Sequence, residues 1–264
     1  MKIFTSAFEG ISAKNNGEKQ YFSEYCIEQN IPLRWILISY FYARNHEQNV
    51  INIRNRCEEM LVDSGAHSFQ FGAKVDFVEY TKQYAEFIKK FDRPNVVGYF
   101  EMDIENVIGY SKVLELRKIL ESVTDKIIPV WHPTRGIDEY EKMCKQYAGK
   151  IVAIGGFRGT DIKDGQFLMF LKVAKKYGCR VHCLGMTRTK ILDKVPFDYT
   201  DSATWVTATN MGHPIIDGKQ ISTSKGRFPK TKGIEKFSQY EYNYREFLRL
   251  QEHYYYKWKK ECKD

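Results

Sequence analysis

Two stretches of this 264-residue chain end an apolar run on an acid in a way suited to chemistry. One is Leu61-Val62-Asp63-Ser64-Gly65-Ala66-His67-Ser68-Phe69; the other is Phe197-Asp198-Tyr199-Thr200-Asp201-Ser202-Ala203-Thr204-Trp205. Each reads as a buried strand delivering a carboxylate to its own C-terminal end, and Gly65 lets the chain turn there and a ligand approach closely. If Asp63 and Asp201 face one pocket, one carboxylate can attack the anomeric carbon of a sugar while the other moves a proton to or from the leaving group. The same division of labour serves an N-glycosidic bond. A single strand-end Asp more often caps the following helix or pairs with a lysine. What matters is whether the rest of the chain brings several polar strand ends together.

The intervening elements alternate in a regular way. Strand-like apolar runs centre near residues 4, 38, 62, 99, 129, 152, 182 and 202. Between them lie helical patterns over about Glu47 to Met60, Phe77 to Phe91, Val107 to Leu120, Asp138 to Tyr147, Phe167 to Tyr177 and Thr189 to Lys194. The stripe Phe77, Tyr80, Tyr84, Phe87, Ile88, Phe91 shows the helical period most clearly. The polar stretch through Lys14-Asn15-Asn16-Gly17 reads as loop. Eight strands alternating with helices predict an α/β fold, a TIM-type (β/α)8 barrel. An open doubly wound sheet has the same alternation, but no Gly-x-Gly-x-x-Gly follows the first strand. In a barrel the C-terminal strand ends line one mouth, which would gather Asp63, Asp103, His132, Gly155, Gly156, Gly185 and Asp201.

Past Trp205 the alternation stops. Residues 1–206 read as the catalytic barrel, and residues 207–264 as a basic loop followed by an aromatic-rich helix packed on it. Gly212 to Gly218 looks turn-rich, and Lys225, Arg227, Lys230, Lys232 and Lys236 form a basic loop broken by glycine and proline. The tail from about Phe237 to Lys260 reads as a helix that packs aromatics on the barrel and solvates its charges.

A net charge of +8 and a pI near 9.0 favour a polyanionic partner. No apolar run approaches the roughly 20 residues of a membrane span, and Met1-Lys2-Ile3-Phe4-Thr5-Ser6 has no leader-like apolar core. The six cysteines stand singly, as in a reducing compartment. These features predict a cytoplasmic protein without a membrane partner.

The ordered set Asp63-Ser64-Gly65-Ala66, Met102-Asp103-Ile104, Gly155-Gly156-Phe157, His182-Cys183-Leu184-Gly185 and Asp201-Ser202-Ala203, over about residues 60 to 206, resembles the tRNA-guanine transglycosylase family. The resemblance implies that Asp201 attacks the ribose or deoxyribose carbon, expels guanine and forms a covalent glycosyl-enzyme. Asp63 would be the general acid/base for the departing and incoming bases. Asp103 would bond the amino edge of the purine, with the backbone at Gly155 and Gly156 against the base. Ser64, Gly65, His67, His132, Phe157 and Leu184 would complete the substrate site. A carboxylate acceptor suits the donors of a guanine-like edge.

The chain departs from the family's pattern in three places. His132 stands where the family has glutamine, and His67 stands where an aromatic would stack on the base. After Asp201 only Cys262 remains, with His213 and His253 far apart, so no structural zinc and no other cofactor is expected. In this the chain is similar to the phage-type branch, which exchanges guanine in DNA for a 7-deazaguanine. The expected partners are then DNA, or else tRNA, and a free base such as 7-cyano-7-deazaguanine, with the host cytoplasm as location if phage-encoded. Lys225, Arg227, Lys230 and Lys232 are the expected phosphate contacts. Competing readings are the same exchange on tRNA, a barrel glycoside hydrolase, and an inactive nucleic-acid-binding paralogue. Cys183 beside His182 cannot form a nucleophilic pair with it, because adjacent strand residues point to opposite faces.

Overall fold

The computed structural model describes residues 1–69, 75–155, 162–222 and 226–262. Its barrel strands are β1 (Lys2–Ser6), β2 (Trp35–Ser39), β3 (Glu59–Asp63), β4 (Val96–Phe100), β5 (Ile127–Ile128 and Val130–Trp131), β6 (Ile151–Ile154), β7 (Arg180–Cys183) and β8 (Tyr199–Ser202). All pair in parallel. The sheet runs from the first half of β5 through β4, β3, β2, β1, β8, β7 and β6 to the second half of β5. The two halves meet at Pro129, which has no N–H to donate. Its carbonyl still accepts from the Ala153 N–H at 2.9 Å, so the ring closes through a strand that carries a proline. This is the eight-strand TIM-type barrel that the alternation predicts.

Strand alternation sorts the side chains. Phe4, Trp35, Leu37, Leu61, Phe100, Ile128, Val130, Ile151, Ala153 and Tyr199 fill the barrel interior. The neighbouring residues point outward into two apolar layers beneath the helices. Those helices are α1 (Phe22–Glu28), α2 (Glu47–Arg54), α3 (Phe77–Phe91), α4 (Tyr110–Glu121), α5 (Gly136–Gln146), α6 (Phe167–Lys176), α7 (Thr204–Asn210) and α8 (Phe237–Lys257).

Some boundaries differ from the expectation. The helix expected over Glu47 to Met60 stops at Arg54, because Glu59 already pairs with Trp35 in the sheet. The one expected over Val107 to Leu120 is a short turn, Glu105–Ile108, broken at Gly109 before α4. The stretch read as loop is a hairpin of Ser12–Asn15 and Glu18–Tyr21 closed by Asn16-Gly17, and Ile215–Ile216 pairs with Lys219–Gln220 about Asp217-Gly218. Both are Asn-Gly or Asp-Gly turn signals.

The final helix belongs to the barrel's outer layer. Gln251 donates from Nε2 to the Ile3 carbonyl (2.7 Å) and to Thr5 Oγ1 (3.0 Å), while the Tyr244 hydroxyl donates to the Pro32 carbonyl. Tyr244 and Trp205 pack with Phe8 and Phe22. Two α3 tyrosines fix the end of β3: Tyr80 donates to the Ser64 carbonyl (2.7 Å) and Tyr84 to that of Val62 (3.2 Å).

A buried ion pair ties β4 to α4 and β5. Glu101 accepts from Arg117 Nε (2.6 Å) and Nη2 (3.0 Å) and from the Val130 N–H (2.6 Å). Burial opposes the Arg117 charge, but the Glu101 charge and hydrogen bonds outweigh it and raise the guanidinium pKa. Removing one partner strands the other charge in the interior. Arg117→Met therefore lowers the unfolding free energy in urea titrations by about 3–5 kcal/mol, and the double change with Glu101→Leu costs less than Arg117→Met alone.

Candidate active site

Asp201 points inward from β8 at the C-terminal mouth of the barrel, with its side chain 15% exposed. Three donors from three elements surround it. His182 Nε2 on β7 lies 2.8 Å from Oδ1, the Gly185 N–H donates to Oδ1 at 2.9 Å, and Ser6 Oγ on β1 donates to Oδ2 at 3.3 Å. His182 is fully buried beneath it, against the rings of Phe4, Phe100 and Tyr199. Its Nδ1 has no hydrogen-bond partner among the described residues. The tautomer protonated at Nε2 satisfies this setting, donating to Asp201 and leaving a bare nitrogen in the aromatic box. Cys183, one residue on, packs in the outer layer, as strand alternation requires.

Asp63 ends β3, paired in register with Ser39 of β2. Its Oδ2 accepts from the Gly65 N–H at 2.8 Å, so part of its role is to brace the turn. Burial lifts its pKa to about 7; the Gly65 N–H pulls the other way, and the charges of Asp103 and Asp201 add to the rise. Gly65 has φ 74°, and a Cβ there would lie 2.3 Å from the Phe41 Cβ and 2.8 Å from Ser39 Oγ. A close approach that requires glycine is made by the end of β2 and the residues after it.

A third carboxyl joins them. Glu9 is 2% exposed and accepts a hydrogen bond from the Ser39 N–H. Burial raises its pKa to about 7, with Asp63 contributing.

Across the mouth, His132 Nε2 lies 2.5 Å from Asp103 Oδ1. Burial opposes charge on His132, but the Asp103 hydrogen bond and charge, with Glu105 behind them, outweigh it and raise the imidazole pKa. Gly155, at the end of β6, packs against this ring: a Cβ there would come within 2.9 Å of His132 Cε1. Arg135 holds the following turn, pairing with Glu105 and donating to the Val130 carbonyl at 2.7 Å.

The structure thus brings Asp63, Asp103, His132, Gly155 and Asp201 to one rim. Leu184 lies there too, partly buried on the interior cluster. Ser64 corrects the expectation of substrate contact: it is fully buried, and its hydroxyl donates to the Glu101 carbonyl at 2.9 Å, linking the ends of β3 and β4. Gly156, Phe157 and Lys225 lie outside the described residues, as does the His67 side chain. Arg227, Lys230 and Lys232 are exposed. Sequence reasoning missed Ser6 and Glu9, and it did not give His182 a role. The signal for His182 was present, since the alternation that turns Cys183 outward turns His182 inward.

Among the described residues no group of three or more His, Cys, Asp and Glu side chains is placed to hold a metal ion, and no helix is long and apolar enough to cross a membrane.

No protein-family model matches the chain, and no curated protein does. It is similar to a solved structure of a proposed fructose-1,6-biphosphate aldolase from Coccidioides immitis, 11% identical, with a TM-score of 0.49, covering 96% of this chain and 88% of that one. At that identity and score the likeness says nothing of activity.

Asp63 keeps its proton to about pH 7 in the folded chain, against 3.8 for an ordinary aspartate. Between those values the unfolded chain binds fewer protons, so stability falls as pH rises through this window and stays lowered above it. Asp63→Asn removes that loss: its Tm by thermal unfolding exceeds that of the unsubstituted protein at about pH 8, and the gap narrows toward about pH 4.

Proposed function

We propose that the protein is a base-exchange transglycosylase that replaces guanine in DNA with a 7-deazaguanine derivative. The observation that carries the reading is the pairing at one mouth of Asp201, ringed by donors, with Asp63, whose burial raises its carboxyl pKa to about 7 so that the protonated acid is populated near neutral pH. A double displacement at a sugar carbon asks for these two roles.

In the first step an Asp201 oxygen bonds to C1′ as the C1′–N9 bond of guanine breaks, and the proton of Asp63 goes to the leaving base. In the second, a ring nitrogen of the incoming base bonds to C1′ as the C1′–O bond to Asp201 breaks, and that nitrogen's own N–H proton goes to the Asp63 carboxylate. The donors from Ser6, Gly185 and His182 fix which Asp201 lone pair faces the sugar, an orientation effect worth more than their number suggests. Asp103 engages His132 through one oxygen, which leaves the other for the amino edge of a guanine-like base.

A nucleic acid fits the charge of the chain and the exposed Arg227, Lys230 and Lys232. The preference for DNA over tRNA rests on the resemblance to the phage-type branch.

Incubating guanine-containing DNA or tRNA with 7-cyano-7-deazaguanine, followed by nucleoside mass spectrometry, tests the reading. Deazaguanine deoxynucleoside forms with the unsubstituted protein, falls below detection with Asp201→Asn, and drops by about 10²–10⁴-fold with Asp63→Asn. Product in tRNA alone moves the substrate and keeps the chemistry; product in neither overturns the proposal. Because the first step needs protonated Asp63, the single-turnover rate of guanine release declines above about pH 7.

A further inference from the structure

Beside the mouth, on the β1 side, lies a separate cleft of about 430 Å³. It begins one residue from Ser6, the hydroxyl partner of Asp201. Ala7 has φ 71°, a region that residues with a side chain seldom occupy. That turn sends Phe8 into the ring cluster with Phe22, Trp205 and Tyr244, and brings Glu9 to Ser39 at the cleft. Strain of this kind gathers where a binding surface demands it.

The walls of the cleft have a definite chemistry. Hairpin residues 10–13 form one side, and Gly233 to Tyr240 the other. Tyr42, 51% exposed, offers its ring to the cleft. Lys236 lines it, with Nζ 3.1 Å from Asn210 Oδ1 and 5.4 Å from the centre of the Tyr240 ring. Where the two sides meet, a Cβ at Gly233 would lie 3.9 Å from the Lys14 carbonyl, so the backbone of exposed Lys14 runs beside that of Gly233, the neighbour of exposed Lys232. The described loop from Gly226 to Lys236 carries four basic residues and one acid, Glu235. An exposed aromatic ring beside lysines is the combination that holds single-stranded nucleic acid, with the base stacked and the backbone neutralised.

Resting on the base-exchange reading, we infer that this cleft holds the nucleotide next to the target in a single-stranded segment, its base against Tyr42 and its phosphates on Lys14, Lys232 and Lys236. A strand whose sugar sits on Asp201 passes Ser6 and Ala7 directly into the cleft. The paired bases of an intact duplex could not stack on Tyr42, so the target is presented unpaired.

The test is fluorescence anisotropy of a short labelled oligonucleotide, as single-stranded DNA, single-stranded RNA and duplex DNA, over a salt series. All the substituted side chains are at the surface, and circular dichroism checks the fold of each variant. Tyr42→Ala weakens single-strand binding by about tenfold with an unchanged salt slope. Lys232→Ala and Lys236→Ala each reduce the slope of log K against log salt by about 0.7. The unsubstituted protein binds single strand more tightly than duplex; the tighter of the DNA and RNA arms identifies the polymer. Variants that bind as the unsubstituted protein does, or a duplex bound at least as tightly as single strand, overturn the inference. Its failure is separable from that of the base-exchange reading. Guanine exchange with binding unaffected by these variants removes the cleft alone, whereas the expected loss of binding without any exchange removes the chemistry alone.

Discussion

A parallel sheet buried on both faces has nowhere to leave an unpaired edge, since each orphaned backbone group away from water costs about as much as a lost hydrogen bond. Closure of the ring is therefore the condition on which the rest depends. It is met at two seams. At one, β5 passes through Pro129 and still offers a carbonyl to Ala153. At the other, β1 pairs with β8 over Lys2 to Thr5 and Tyr199 to Ser202. The second seam also makes the site: it brings Ser6 of the first strand to Asp201 of the last.

Four carboxyl groups, Glu9, Asp63, Asp103 and Asp201, crowd this mouth. Like charges in a poorly solvated space repel, and the protein answers each one differently. Glu9 receives the Ser39 N–H, Asp63 the Gly65 N–H, Asp103 the His132 imidazole, and Asp201 a hydroxyl, an amide and a buried histidine. Chemically similar side chains are thereby held by different partners, and burial raises the pKa of two of them, Glu9 and Asp63, to about 7. Burying acids with so few counter-charges destabilises the fold, a common trade at reactive sites.

All eight strands could be read from the chain because most are short, largely apolar runs bounded by polar or turn residues, and the regular alternation with helices places the more polar Arg180–Cys183 and Tyr199–Ser202. Element ends were less legible. The segment after Arg54 keeps an apolar rhythm, yet sheet pairing at Glu59 overrides it; the hairpin at Ser12 to Tyr21 lacks apolar alternation, and only Asn16-Gly17 marks it. In the site, the strand-end acids were visible by position. Glu9 was not, because it reaches the mouth by way of the left-handed turn at Ala7, which no residue type announces. Ser64 was misjudged for a related reason: a small polar residue after a strand-end Asp looks open to ligand, and its hydroxyl instead bridges to the neighbouring strand.

The Gln251 side chain, clasping Ile3 and Thr5, bears on how the molecule comes into being. Its partners stand 248 and 246 positions away, and those of Ser6 and Asp201 are 195 apart. Contacts so distant along the chain are slow to form, since a long loop must be ordered before they repay it. During synthesis one edge of β1 waits unpaired until Tyr199–Ser202 of β8 has emerged. The Asp201 carboxylate acquires its full set of donors only when the first and eighth strands meet, so a partly folded chain does not assemble this cluster.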